Sequence, residues 1–242
     1  IYSKLLSNSF GINCIKLKTL DNKNYIVKYY KNLNKGFNAI ESEGNNLKYL
    51  NNLNLNLFPL VHCDNSKYLI ISYINNNNLL PKETKNDFLD AILNIHSLKN
   101  KEYGFGFDTQ IGGLKQINKN SNNWVNFFRD YRLGYIYKII NSIESIGFSI
   151  NNKIELLLSK LENYIPNSPQ PCLLHGDLWE GNILFHDREL VGLIDPGSFY
   201  GHNELEIAYL RWFNPKFIDK NFLEKYNYNI KIEKEYLAYE PI

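Results

Sequence analysis

Methionine is absent from all 242 residues, position 1 included, where an ordinary chain of this length carries several. This absence predicts either a piece of a longer chain or methionines missing from the written sequence. Cysteine is scarce and odd in number: Cys14, Cys63 and Cys172 lie far apart. That spacing excludes a disulfide framework and a Cys-x-x-Cys metal site, and it predicts a reducing, cytoplasmic setting. No stretch approaches the roughly 20 apolar residues needed to cross a bilayer, so no membrane partner is expected. Nor is there an excess of positive charge. Lys+Arg number 27 against 25 Asp+Glu, a formal charge of +2, which excludes a protein that coats nucleic acid. What the chain does hold is apolar and aromatic: 44% of residues are hydrophobic, with 18 Tyr and 14 Phe, enough to build a sizeable core in one large domain or two small lobes. Asn-rich runs such as Asn75-Asn76-Asn77-Asn78 accompany abundant Lys, Ile and Tyr and read as base-composition bias of the source genome.

Along the chain the hydrophobic period changes once. Ile12 to Thr19 and Tyr25 to Tyr30 are β-prone runs separated by Asp21-Asn22-Lys23-Asn24, which has turn chemistry. Phe37, Ile40, Leu47 and Leu50 recur at helical spacing and enclose Glu43. Phe58 to His62 and Tyr68 to Ile74 read as two further strands, and Asn75 to Asn78 as a connector. Helical patterns then dominate: Asp87 to Leu98, Trp124 to Ile140 and Lys153 to Tyr164. After Pro166 and Pro169, short apolar runs flank two polar loops. The expected fold class is α+β, with a strand-rich region 1–75 that carries one helix and antiparallel strands, and a mainly helical region 76–242.

The segment His175-Gly176-Asp177-Leu178-Trp179-Glu180-Gly181-Asn182 carries the chemistry, together with Asp195-Pro196-Gly197, which begins 18 residues after Asp177. Asp and Asn oxygens on two strand-flanked loops suit one hard cation such as Mg²⁺ and leave room for phosphate. Phosphoryl transfer asks for a carboxylate to orient and deprotonate the attacking hydroxyl, for metal ligands, and for a cation on the transferred group. Asp177 fits the first role, and Asn182 and Asp195 the second. An Asp, an Asn five residues later and a downstream metal-binding Asp is the general kinase pattern. Lys28 ends the apolar run Tyr25-Ile26-Val27-Lys28, placed to reach phosphates with Glu43 behind it. The loop around Gly11 and Asn13 would cover those phosphates, and Tyr73-Ile74 would lie where adenine stacks. No Gly-Lys-Ser/Thr follows, which sets the P-loop NTPases aside.

Taken together these residues resemble the fructosamine (ketosamine) kinase family, within the protein-kinase-like superfamily. The resemblance rests on His175 to Asn182, on Asp195-Pro196-Gly197-Ser198-Phe199-Tyr200-Gly201-His202 and on Glu204-Leu205-Glu206, with weaker echoes at Gly11-Ile12-Asn13, Val27-Lys28, Glu43, Gln116 with Asn118, and Trp124 with Arg132-Leu133. It implies a two-lobed kinase-like fold and ATP-dependent, Mg²⁺-dependent phosphorylation of the sugar 3-hydroxyl of a small-molecule or protein-bound ketosamine. It leaves monomer and homodimer open. An aminoglycoside or choline-like kinase, and a nucleotide-binding pseudokinase, are the alternatives. Trp179 is expected to be a wall or lid of the sugar pocket. His202 and Glu204 have two readings: substrate-side residues, or the acidic first turn that a helix dipole favours. His175 reads as a hydrogen-bonder that holds the loop, and Cys14 as either an inert or a redox-sensitive thiol. Phe10 stands where many relatives have a second glycine, and the family continues past Ile242 with further helix, so the large lobe is expected to be incomplete at its end.

Overall fold

In the computed structural model, which describes residues 1–32 and 36–242, five strands form one antiparallel sheet: β1 (Tyr2–Ser9), β2 (Ile12–Lys18), β3 (Asn24–Tyr30), β4 (Val61–Asp64) and β5 (Tyr68–Ser72), in the order β1-β2-β3-β5-β4. The β1–β2 hairpin pairs Ser9 with Ile12 across a two-residue turn, in which Phe10 (φ 50°) and Gly11 (φ 74°) are both left-handed. A tight hairpin needs that pair of conformations, and glycine takes one of them without strain. β1 is an addition to the sequence reading. Every one of its residues is exposed, so no apolar alternation marks it. The strand expected at Phe58 to His62 starts only at Val61, because Pro59 has no N–H to give a ladder.

Helix α1 (Ala39–Asn51) packs against β4 and β5. Asn38 caps it by accepting the Glu41 N–H at 3.2 Å, and its buried face sets Ile40, Leu47 and Leu50 in the core with Leu69 and Ile71 of β5. Residues 75–78 form an irregular connector whose Asn77 and Asn78 N–H groups donate to the Phe185 carbonyl at 3.2 and 3.0 Å.

Beyond the connector the chain is mainly helical. α2 (Asn86–Ser97) buries Phe88, Ile92 and Ile95, and Phe88 meets Phe217 edge-on at 5.3 Å. A hairpin of two three-residue strands, β6 (Thr109–Ile111) and β7 (Leu114–Gln116), follows, turning through Gly112-Gly113. The helix expected over Trp124 to Ile140 is α3 (Trp124–Phe128) and α4 (Gly134–Ile143) joined by a π-helical turn at Arg129–Leu133, and α5 (Phe148–Ser159) lies a few residues ahead of its expected position. β8 (Cys172–Leu174) pairs with β11 (Phe199–Gly201), and β9 (Ile183–His186) with β10 (Glu189–Leu193), so both polar loops are held between short strands. Helices α6 (Asn203–Trp212), α7 (Phe222–Asn229) and α8 (Tyr236–Tyr239) complete the described chain.

One hydrophobic core runs from α1 and β5 through α2 to α6. Leu47 has no exposed surface, and it sits on the helix that carries Glu43. Leu47→Ala is expected to lower the unfolding free energy by about 2–5 kcal/mol, the range for a truncated buried leucine, as read from urea denaturation.

Candidate active site

Strand β3, helix α1 and the loop after β10 deliver three charges to one point. The Lys28 ammonium donates to Glu43 Oε1 and Oε2 at 2.7 and 2.9 Å and to Asp195 Oδ1 at 2.6 Å. Burial works against the Lys28 charge, but the Asp195 and Glu43 carboxylates outweigh it and raise its pKa. Burial likewise pushes the Glu43 carboxyl up, with Lys28 opposing. Asp195 adopts a left-handed backbone (φ 55°), a strained conformation for a residue other than glycine. On α1, one turn beyond Glu43, Asn46 donates to the Pro196 carbonyl at 3.0 Å and fixes the same loop.

The loop from His175 to Asn182 meets this triad. Asn182 Nδ2 donates to the Asp177 carbonyl at 2.8 Å and to Asp177 Oδ2 at 3.0 Å, while the Ile194 N–H donates to the Asn182 carbonyl at 3.0 Å. Burial raises the Asp177 pKa, with the Tyr209 hydroxyl, donating to Oδ1 at 2.9 Å, as the leading opposing influence. His175 is fully buried, and burial lowers its pKa; its Nδ1 accepts the Asp177 N–H at 3.2 Å, which makes it a structural member of the loop. Gly176 (φ 86°) has no room for a side chain, since a Cβ would stand 2.1 Å from the Gly197 carbonyl oxygen. Behind the loop, Glu206 accepts the His175 N–H at 3.0 Å and the Gly176 N–H at 2.7 Å. Burial alone would raise the Glu206 pKa; His96 at 2.9 Å, His175 and Gly176 together hold it low. With His96 Nε2 donating to Glu206, His96 Nδ1 accepts from Tyr226 at 2.7 Å.

A cleft of about 680 Å³ is lined by Lys28, Glu43, Tyr73, Ile74, Asp177, Trp179, Asn182 and Asp195. Lys16 lies over the Tyr73 ring at 3.5 Å. Phe10 and the Gly112-Gly113 turn meet at the same cleft: the Phe10 ring follows that turn so closely that a Cβ on Gly113 would stand 2.8 Å from Phe10 Cβ. Other expected residues are not brought here. Ile12 and Cys14 face the cleft from β2, and strand alternation turns the intervening Asn13 to the opposite face; Gly11 contributes its turn but does not line the cavity. His202 and Glu204 are also elsewhere, at a separate small cavity with Trp124, Tyr236 and Tyr239. There Glu204 is consumed by structure, accepting the Glu233 N–H at 2.5 Å and the Tyr239 hydroxyl. Cys14 stands across the strand pair from Lys28, yet burial pushes its thiol up, with Lys28 only partly opposing. Residues that no motif announced are Asn46, Tyr209 and the Phe10–Gly113 contact.

An antiparallel five-stranded sheet with a Lys–Glu pair, set against a mainly helical region that carries an Asp/Asn/Asp cluster, defines a protein-kinase-like fold. The chain belongs to the fructosamine kinase family, whose model matches residues 11–242. It is 32% identical over 150 residues to a Vibrio cholerae protein described as a ketoamine kinase, and 38% identical over 110 residues to a chloroplastic protein-ribulosamine 3-kinase of Arabidopsis thaliana. Those matches cover 60% and 45% of this chain, and only 50% and 33% of the relatives. In structure it is similar to a Thermobifida fusca protein described as a fructosamine-3-kinase, with a TM-score of 0.84 at 20% identity over 100% of this chain and 83% of the other. A gentamicin complex of an aminoglycoside phosphotransferase matches with a TM-score of 0.66 at 18% identity, covering 99% of this chain and 79% of the other.

The position of His202 has a measurable consequence. Burial lowers its pKa to about 3, from an ordinary 6.5, so between these values the unfolded chain binds a proton that the folded chain refuses. The stability this confers is complete above pH 6.5 and drains away as the pH falls toward 3. His202→Asn is expected to flatten the acid limb by up to about 1.4 kcal/mol per pH unit, read from urea unfolding at a series of pH values between 7 and 4.

Proposed function

We propose that this chain is an ATP-dependent kinase that phosphorylates the sugar 3-hydroxyl of ketosamines. The observation that carries the reading is the convergence of Lys28, Glu43, Asp177, Asn182 and Asp195 on one cleft, in the arrangement that phosphoryl transfer requires. The names of its relatives, ketoamine kinase and protein-ribulosamine 3-kinase, support the acceptor class. Residues 1–75 would form the nucleotide lobe, with adenine beside Tyr73-Ile74, and residues 76–242 the catalytic lobe. The free cysteines support a cytoplasmic setting, and among the described residues no helix is long and apolar enough to cross a membrane.

In this reading Asp177 receives the proton of the acceptor hydroxyl as its oxygen bonds to the γ-phosphorus. The bond from that phosphorus to the β,γ-bridging oxygen breaks, and ADP leaves with its electron pair. Lys28, kept cationic by its two carboxylates, would set its positive charge beside the phosphate oxygens. Asn182 and Asp195 would hold Mg²⁺, which supplies charge neutralisation on the phosphates. The donor set fits: two side chains with hard oxygens leave most coordination places to phosphate and water, and among the described residues no group of three His, Cys, Asp or Glu forms an all-protein cage. Trp179, 37% exposed at the cleft, would face the sugar.

Asp177→Asn is expected to cut kcat by about 10²–10⁴-fold, the usual contribution of a positioned base, while a fluorescent ATP analogue binds within about twofold of wild type. An ADP-release assay across ribulosamines, fructosamines, aminoglycosides and choline reads both the base and the acceptor class. Undiminished turnover by the variant, or turnover with the last two acceptors only, refutes the reading.

A further inference from the structure

We infer that Tyr209 is a positioning residue that fixes the carboxylate of Asp177 for the acceptor hydroxyl. This rests on the reading of Asp177 as the acceptor-side base. An ionised carboxylate only accepts hydrogen bonds, so the 2.9 Å contact has one polarity: the phenol donates to Oδ1. Oδ2 is taken by Asn182 Nδ2 at 3.0 Å. One donor on each oxygen defines the plane of the group and leaves each oxygen a lone pair. A base works through a lone pair aimed at the proton it removes, within about 2.6–3.2 Å, so the direction of that lone pair matters as much as basicity. With Asn182 alone, the carboxylate would keep its freedom to turn about the Cβ–Cγ bond.

The phenol is itself held. Tyr209 lies one turn after Glu206 on α6, on the same face, and Glu206 grips the backbone of His175 and Gly176. The helix therefore engages three successive loop residues: two through backbone N–H groups and the third through its carboxylate. The Tyr209 ring packs edge-on against Phe213 at 5.0 Å, which sets its approach to Asp177. No motif of the sequence marks position 209.

The test is Tyr209→Phe, which keeps the ring and deletes only the hydroxyl, assayed with a ribulosamine and ATP. The expected result is a kcat about 10–100-fold lower, KM values for both substrates within about twofold, an unchanged thermal midpoint, and an Asp177 side chain rotated in the variant's crystal structure. In the Asp177→Asn background the same change should cost nothing further, because the group it positions is gone. The inference is overturned by an unchanged kcat in Tyr209→Phe, or by an equal loss in the Asp177→Asn background. A wild-type protein that turns over no ketosamine refutes the functional reading and this inference with it, whereas an active wild type with an equally active Tyr209→Phe variant refutes this inference alone.

Discussion

The site is organised around a single buried cation. Taking ions out of water costs several kcal/mol each, and their mutual attraction offsets this only when the geometry is close and the remaining hydrogen bonds are made. Lys28 meets that condition with three contacts between 2.6 and 2.9 Å. Lys28 is on a strand and its two partner residues are on a helix and on a loop more than 150 residues downstream, so the ion group also ties the sheet region to the helical region. Two carboxylates face one ammonium, which leaves one negative charge in excess. It falls on the side of Asp195, whose side chain is 39% exposed where that of Glu43 is 6% exposed. An unbalanced carboxylate at the open side of a cleft is where a further cation is welcome.

The loop from His175 to Asn182 is held from the other side by a different device. Glu206 offers its carboxylate to backbone N–H groups, and its charge is in turn met by His96, which leans on Tyr226. A carboxylate that accepts two N–H bonds and a histidine is stable as an anion even without water. The result is a loop fixed by hydrogen bonds to the core as well as by the packing of its buried His175 and Leu178.

The sequence was most readable where residue type and spacing form a motif: Lys28, Glu43, Asp177, Asn182 and Asp195 all line one cleft. It pointed to three residues that the fold holds elsewhere. Asn13 is turned away by strand alternation, Glu204 spends its carboxylate on the Glu233 N–H and the Tyr239 hydroxyl, and His202 lies at the same separate cavity. It was silent where the signal is tertiary. β1 is wholly exposed and carries no apolar period, and Asn46 and Tyr209 act through partners 150 and 32 residues away. The two helical regions expected around α3 and α5 were legible as amphipathic stripes, but their π-helical turn and exact ends are set by local packing.

The meeting of Phe10 with Gly112-Gly113 is one of several places where the sheet region touches the helical region along the cleft. The connector at 75–78 is strapped to Phe185, Lys28 pairs with Asp195, and Asn46 holds the Pro196 carbonyl. Those junctions are polar and directional, whereas the one at the hairpin tips is an aromatic ring lying on glycine backbone, a dispersion contact that fixes distance without fixing direction.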